Sequence, residues 1–198
     1  MNKIKWKAGN MVYPLPAVMV SCGKDEAEYN LITIAWTGTV CTNPAMTYIS
    51  VRPGRHSYDL IKNNGAFVIN LTTEAMVRGT DYCGVRSGRD EDKAAKMNFT
   101  YEATEIQAPM IKESPVNILC EVVEIKELGS HHMFLAKVVG VYVDGRYMDD
   151  HNKFHLDQAG LMVYSHGAYY GLGKKLGSFG YSVRKKIKKK VQTQKRRK

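Results

Sequence analysis

The 198-residue chain contains no run of about 18 apolar residues, which excludes a membrane-spanning helix. It has only four cysteines, Cys22, Cys41, Cys83 and Cys120, and no two are spaced CxxC. That excludes a zinc ribbon and a thioredoxin-type dithiol, and four scattered thiols point to a reduced, cytoplasmic setting. No GxGxxG follows a strand pattern, so a Rossmann domain is disfavoured, and no GxxxxGK[ST] phosphate loop is present. There is no HExxH, and neither a Ser-His-Asp arrangement nor a nucleophile elbow is visible. His151 and His155 stand four apart near Asp149, Asp150 and Asp157, but the segment does not read as a helix, so no metal is expected. Acid is missing from one stretch only. Residues 184–198 carry ten Lys and Arg and no Asp or Glu, while the remaining 183 residues hold nineteen of each sign. The formal net charge of +10 therefore belongs to a tail, expected to be a flexible, solvated end. Without aromatic residues to stack on bases, that tail suits at most weak, salt-sensitive contact with nucleic acid.

What is present is strand pattern. Lys3, Lys5 and Lys7 precede an apolar run ending at Met19-Val20-Ser21-Cys22, but Pro14 and Pro16 interrupt it and favour strand entry over a signal helix. Strands are predicted over 17–23, 30–37, 46–51 and 66–71. Two long runs, 116–127 and 132–144, are joined by a hairpin turn at Leu128-Gly129-Ser130. Ser57 is expected to cap a helix over 58–63 that stops at Asn63-Asn64-Gly65, and Thr73 a second one reaching about Tyr82. Residues 84–90 read as a polar loop, 91–97 as a helical turn or two, and 149–182 as irregular. About six strands with short helices argue for a mainly β protein, an antiparallel barrel with helical insertions.

Several clusters bear chemistry. The strand Asn30-Leu31-Ile32-Thr33-Ile34-Ala35-Trp36-Thr37 offers hydroxyls and a flat Trp, either as a core strand or as the wall of a planar cofactor. The turn Ser50-Val51-Arg52-Pro53-Gly54-Arg55-His56-Ser57 sets two Arg, a His and two Ser before a helix start, the composition a phosphate dianion needs. His131 and His132 are adjacent on a strand and face opposite ways, so they cannot share one site. Cys83 lies near Arg86, Arg89 and Lys93, a setting that lowers a thiol pKa if the sulfur is exposed and is inert otherwise.

Taken in order, these segments resemble the flavin reductase-like, FMN-binding split-barrel family. The likeness runs from Tyr13-Pro14-Leu15-Pro16 through 30–37, 50–57 and Gly65–Leu71, then Cys83-Gly84, Lys93 and His131–Phe134. The ending His166-Gly167-Ala168-Tyr169-Tyr170-Gly171-Leu172-Gly173-Lys174-Lys175 resembles the flavoredoxin branch, and the likeness covers residues 12–183. It implies a six-stranded antiparallel Greek-key split barrel over 1–183, a homodimer, and FMN near the subunit interface. It also implies electron transfer from NADH or NADPH to a flavin or a redox partner protein, or a carrier without its own nicotinamide site. By position, Asn30, Thr33, Ile34, Ala35, Trp36 and Thr37 would line the ring and ribityl chain. Ser50, Arg52, Arg55, His56 and Ser57 would hold the phosphate end. Cys83 and Lys93 would lie nearby, His131 or His132 would approach the ring, and Tyr169 and Lys174 would shape a cover.

Overall fold

A computed structural model of the chain describes residues 1–184, so the predicted basic tail, apart from Arg184, lies outside the described residues. The elements run β1 (Leu15–Pro16), β2 (Val18–Cys22), β3 (Asn30–Ile34), β4 (Thr37–Cys41), β5 (Met46–Val51), α1 (His56–Asn64) and β6 (Ala66–Leu71). A 3-10 turn, Glu74–Met76, leads into α2 (Val77–Val85), followed by α3 (Lys93–Lys96), β7 (Tyr101–Glu102) and β8 (Met110–Ile111). The long hairpin β9 (Val116–Glu127) and β10 (His132–Val143) follows, then β11 (Met162–Ser165) and β12 (Ala168–Gly171).

Seven strands pair antiparallel in the order β3-β2-β6-β9-β10-β5-β4 and curl around a core of Val18, Val20, Ile32, Ile34, Ile49, Phe67, Ile69 and Phe134. The expected single strand over 30–37 is in fact two. Pairing with β2 ends at Ile34; Ala35 and Trp36 form a corner, and β4 then pairs with β5 at the opposite edge of the sheet. The corner is tied across that split, since the Ser50 N–H donates to the Trp36 carbonyl at 2.8 Å. This division makes the sheet seven-stranded rather than six-stranded, within the same antiparallel barrel class.

β3 is buried on both sides. Ile32 and Ile34 point into the barrel, while Leu31 joins an outer cluster with Met19, Cys83, Ala94 and Ile111 beneath α2 and α3. Side chains alternate across a strand, so one β3 register serves both cores.

Four expectations about local structure are corrected. Ser57 is not the cap of α1; the helix begins at His56 with Arg55 in the capping position, and Ser57 is buried at 1% exposure. Gly65 does end α1, with φ of 68° and its N–H bonded to the Ile61 carbonyl, the left-handed stop that glycine adopts without strain. Thr73 precedes its helix but contributes no side-chain cap, and α2 runs on through Gly84 and Val85 into the segment expected to be loop. Residues 162–171 are not irregular: β11 and β12 form a hairpin that also pairs with β1. Among the described residues, no helix is long and apolar enough to cross a membrane, and no group of three His, Cys, Asp or Glu side chains could hold a metal ion. His155 bonds Asp149 at 2.8 Å instead, and holds that carboxyl down at about 2.

Candidate functional site

Where β3 ends and α1 begins, three adjoining cavities of about 110, 220 and 340 Å³ line up, all bordered by Arg55. They form one cleft with two unlike ends.

The polar end lies against the start of α1. Arg55, His56 and Ser57 face Arg86, Ser87, Gly88 and Arg89 of the segment after α2, with Lys93 beneath. Arg89 Nη1 donates to the Gly54 carbonyl at 3.1 Å, which ties the two arginine-bearing turns together. Lys93 is only 4% exposed, and its ammonium donates to the carbonyls of Cys83 and Arg86 at 3.3 and 3.2 Å. Two of its three protons are thus used, and the third is left for the cavity it lines. Burial holds the Lys93 pKa below its usual value. His56 is likewise depressed, first by burial and then by the positive charge of Arg89 and Lys93. Asn30, at the first position of β3, donates from Nδ2 to Ser57 Oγ at 2.7 Å and so locks strand start to helix start. Gly88 presses against the same Asn30: a Cβ on Gly88 would lie 1.9 Å from Asn30 Oδ1.

The other end is flat and aromatic. Thr33, Ala35 and Trp36 border it on one side, with Asp81, Gly84, Val85, Tyr164 and Tyr169 on the other. α2 is held close there, since Thr33 Oγ1 donates to the Thr80 carbonyl and a Cβ on Gly84 would come within 3.2 Å of the Thr33 side chain. The Tyr169 hydroxyl donates to Asp81 at 3.2 Å, and burial followed by that carboxylate pushes its pKa up to about 12. Ser50, Arg52 and His131 close the third side. Arg52 Nε reaches His131 Nε2 at 3.4 Å, and His131 lies 6.5 Å from the Trp36 ring. His131 is lowered by burial and by Arg52.

The adjacent histidines diverge as strand geometry requires. His131 borders the cleft, whereas His132 turns to Tyr58, with Nδ1 2.8 Å from the phenol oxygen. Of the other predicted residues, Asn30, Thr33, Ala35, Trp36, Ser50, Arg52, Arg55, His56, Ser57, Lys93 and Tyr169 all border the cleft. Ile34 does too, although its side chain packs in the barrel. Three stand apart. Thr37 spends its hydroxyl on the Tyr48 carbonyl at 2.6 Å. Cys83 contributes only its backbone carbonyl; burial pushes its thiol up to about 11, the reverse of activation. Lys174 is exposed in the segment after β12 and borders none of the three cavities. Sequence reasoning missed Arg86, Ser87, Gly88 and Arg89, although their composition repeats that of Arg55-His56-Ser57.

The donor set suits a phosphate monoester. Four cations, two serine hydroxyls and a helix start surround the polar cavity, and no carboxylate lines it. A planar, partly apolar ring fits the other end, with Trp36 and Tyr169 beside it.

Residues 10–173 match the flavin reductase-like domain family. Flavoredoxin of Desulfovibrio vulgaris is similar in structure, with a TM-score of 0.84 and 26% identity, covering 92% of this chain and 100% of that one. A flavoredoxin from Methanosarcina acetivorans matches with a TM-score of 0.84 and 27% identity over 93% and 100% of the two chains. A flavin reductase with a split-barrel domain from Shewanella frigidimarina shares the fold at a TM-score of 0.75 and 23% identity, over 85% and 86%. The chain belongs to the flavin reductase-like split-barrel family, in its flavoredoxin branch.

Proposed function

We propose that the cleft binds FMN, with its phosphate among Arg55, His56, Ser57, Arg86, Arg89 and Lys93 and its ring against the Thr33–Trp36 corner, and that the protein moves electrons from NADH or NADPH to a flavin or protein acceptor. The observation that carries this reading is the pairing of a carboxylate-free cationic cavity with an aromatic one, joined at Arg55. When bound, FMN supplies the hydride and one-electron chemistry. The chain supplies position and charge. The arginine forks and the Lys93 ammonium neutralise the phosphate in a partly buried setting, where charge-assisted bonds are strong. Asn30 positions rather than binds; it keeps Ser57 and the Gly88 turn in register with β3. Thr33, Ala35 and Trp36 orient the ring and exclude water from one face. Arg52, backed by His131, places positive charge at the ring end, suited to stabilising a reduced, anionic ring. None of these roles needs a nucleophile, which agrees with the inert thiol of Cys83. A homodimer with the ring end near its interface is part of the same reading, as is a cytoplasmic location.

A second reading, an electron carrier without its own nicotinamide site, is favoured by the similarity to flavoredoxins. Visible absorbance of freshly purified protein, followed by FMN titration, tests the cofactor: a colourless protein that takes up no FMN at micromolar concentrations removes both readings. Anaerobic addition of NADH or NADPH to the FMN-loaded protein separates them. Bleaching of the flavin band by either nucleotide is expected for the reductase, and no bleaching by either leaves the carrier.

A further inference from the structure

A larger cavity, about 560 Å³, opens at the far end of α2 and shares no lining residue with the flavin cleft. Its size falls within the range of small-molecule pockets, ~300–1,000 Å³. Met76, Met97, Phe99 and Pro115 give it an apolar lining, and Tyr147 adds an aromatic one. The Phe99 ring lies so close to the backbone of α2 that a Cβ on Gly79 would meet it at 2.4 Å, so that wall is firmly seated.

Four charged groups border this cavity, and three are engaged. Lys96 Nζ is 2.8 Å from Glu91, Arg146 Nε donates to Asp144 at 2.8 Å, and the Glu113 carboxylate accepts the Thr100 N–H at 3.0 Å. Arg78 is different: among the described residues its side chain forms neither an ion pair nor a hydrogen bond, whereas Glu113, also without an ion pair, is held by the Thr100 N–H. The cavity therefore presents one uncommitted guanidinium above an apolar, aromatic surface. A guanidinium fork matches a carboxylate in geometry as well as charge. A flat apolar body attached to that carboxylate would find Phe99, Met97 and Tyr147.

We infer that this cavity is a second ligand site, for a small aromatic or unsaturated carboxylate anchored by Arg78. It lies on the same helix as the flavin cleft but is separate from it, so occupancy of one does not exclude the other.

Benzoate is the probe, titrated into the full chain with and without FMN and followed by amide chemical shifts. Saturable shifts at residues 76–79 and 97–99 are expected by about 10 mM, whether or not FMN is present. Arg78→Gln should weaken binding by about tenfold or more, and Arg78→Lys by less, with FMN affinity unchanged in both. Benzamide, of the same shape without the charge, should bind about tenfold more weakly or worse. Because Arg78 is exposed, its replacement leaves the core untouched. Any of three results overturns the proposal: no saturable shifts, shifts indifferent to Arg78→Gln, or shifts that FMN abolishes, which would place benzoate in the flavin cleft. Should the protein take up no FMN, the flavin-free titration still decides the matter.

Discussion

The two ends of the cleft are built in opposite ways. At the polar end, two charged groups are fixed by bonds to backbone, Lys93 to two carbonyls and Arg89 to Gly54, and the Asn30 amide is bonded to the Ser57 hydroxyl. At the ring end, Trp36 and Tyr169 meet an open space, and the chain turns a corner between two strand edges. One end is thus organised to grip and the other to give access. Affinity should therefore reside mainly at the polar end, and electronic tuning at the ring end.

Substitutions test that division. Gly88→Val should have the largest effect, because a side chain there collides with Asn30 and displaces the turn that carries Arg86 and Arg89. FMN affinity should fall about 100-fold or more, roughly 3 kcal/mol, in flavin-fluorescence titrations. Arg55→Ala should cost about 1.5–3 kcal/mol in the same assay, as for the loss of a charge-assisted bond, with the thermal midpoint little changed. Trp36→Ala should cost less, about 1 kcal/mol, while moving the absorption bands of the bound flavin. Equal losses for Arg55→Ala and Trp36→Ala would erase the distinction between the two ends.

The smallest effect is one of pH. His56 has its folded pKa depressed by burial, then by Arg89 and Lys93, so the unfolded chain takes up its proton first as pH falls. The stability of the ligand-free protein linked to His56 is intact above about pH 6.5, the unfolded value, and is lost as pH drops toward the depressed folded value. His131 is depressed as well and contributes in the same direction. Melting curves between about pH 7.5 and 5 should slope less in His56→Gln than in the parent. A parallel slope would show that His56 does not sense the neighbouring cations.

Much of this was legible in the chain because apolar alternation and turn residues agreed. The hairpin of β9 and β10 and the stop at Gly65 are cases where pattern and local conformation point the same way. The break between β3 and β4 was hidden because alternation continues through Ala35 and Trp36 with no Gly or Pro to mark it, and tertiary closure of the barrel decides there. The β11–β12 hairpin was hidden for another reason. Its turn is His166-Gly167, both with positive φ, where Asn-Gly or Asp-Gly would have announced it. At the site, Arg52–Ser57 stood out as a dense local cluster. Arg86–Arg89 gained meaning only when folding brought it back to Arg55, and the nearby Cys83 drew attention to a sulfur that the core conceals. Ser57 read as a cap because it has the right chemistry two residues too late; its hydroxyl was already claimed by Asn30.

That bond between Asn30 and Ser57 makes β3 a ruler. Four steps separate the strand's anchored first position from its last, a span of roughly 13 Å at about 3.3 Å per step, with the grip at one tip and the corner just beyond the other. The distance between the two halves of any occupant is thus set by hydrogen-bonded backbone rather than by adjustable side chains. The fold itself measures ligand length, and slippage of β3 against β2 by a single residue would miscalibrate both tips at once.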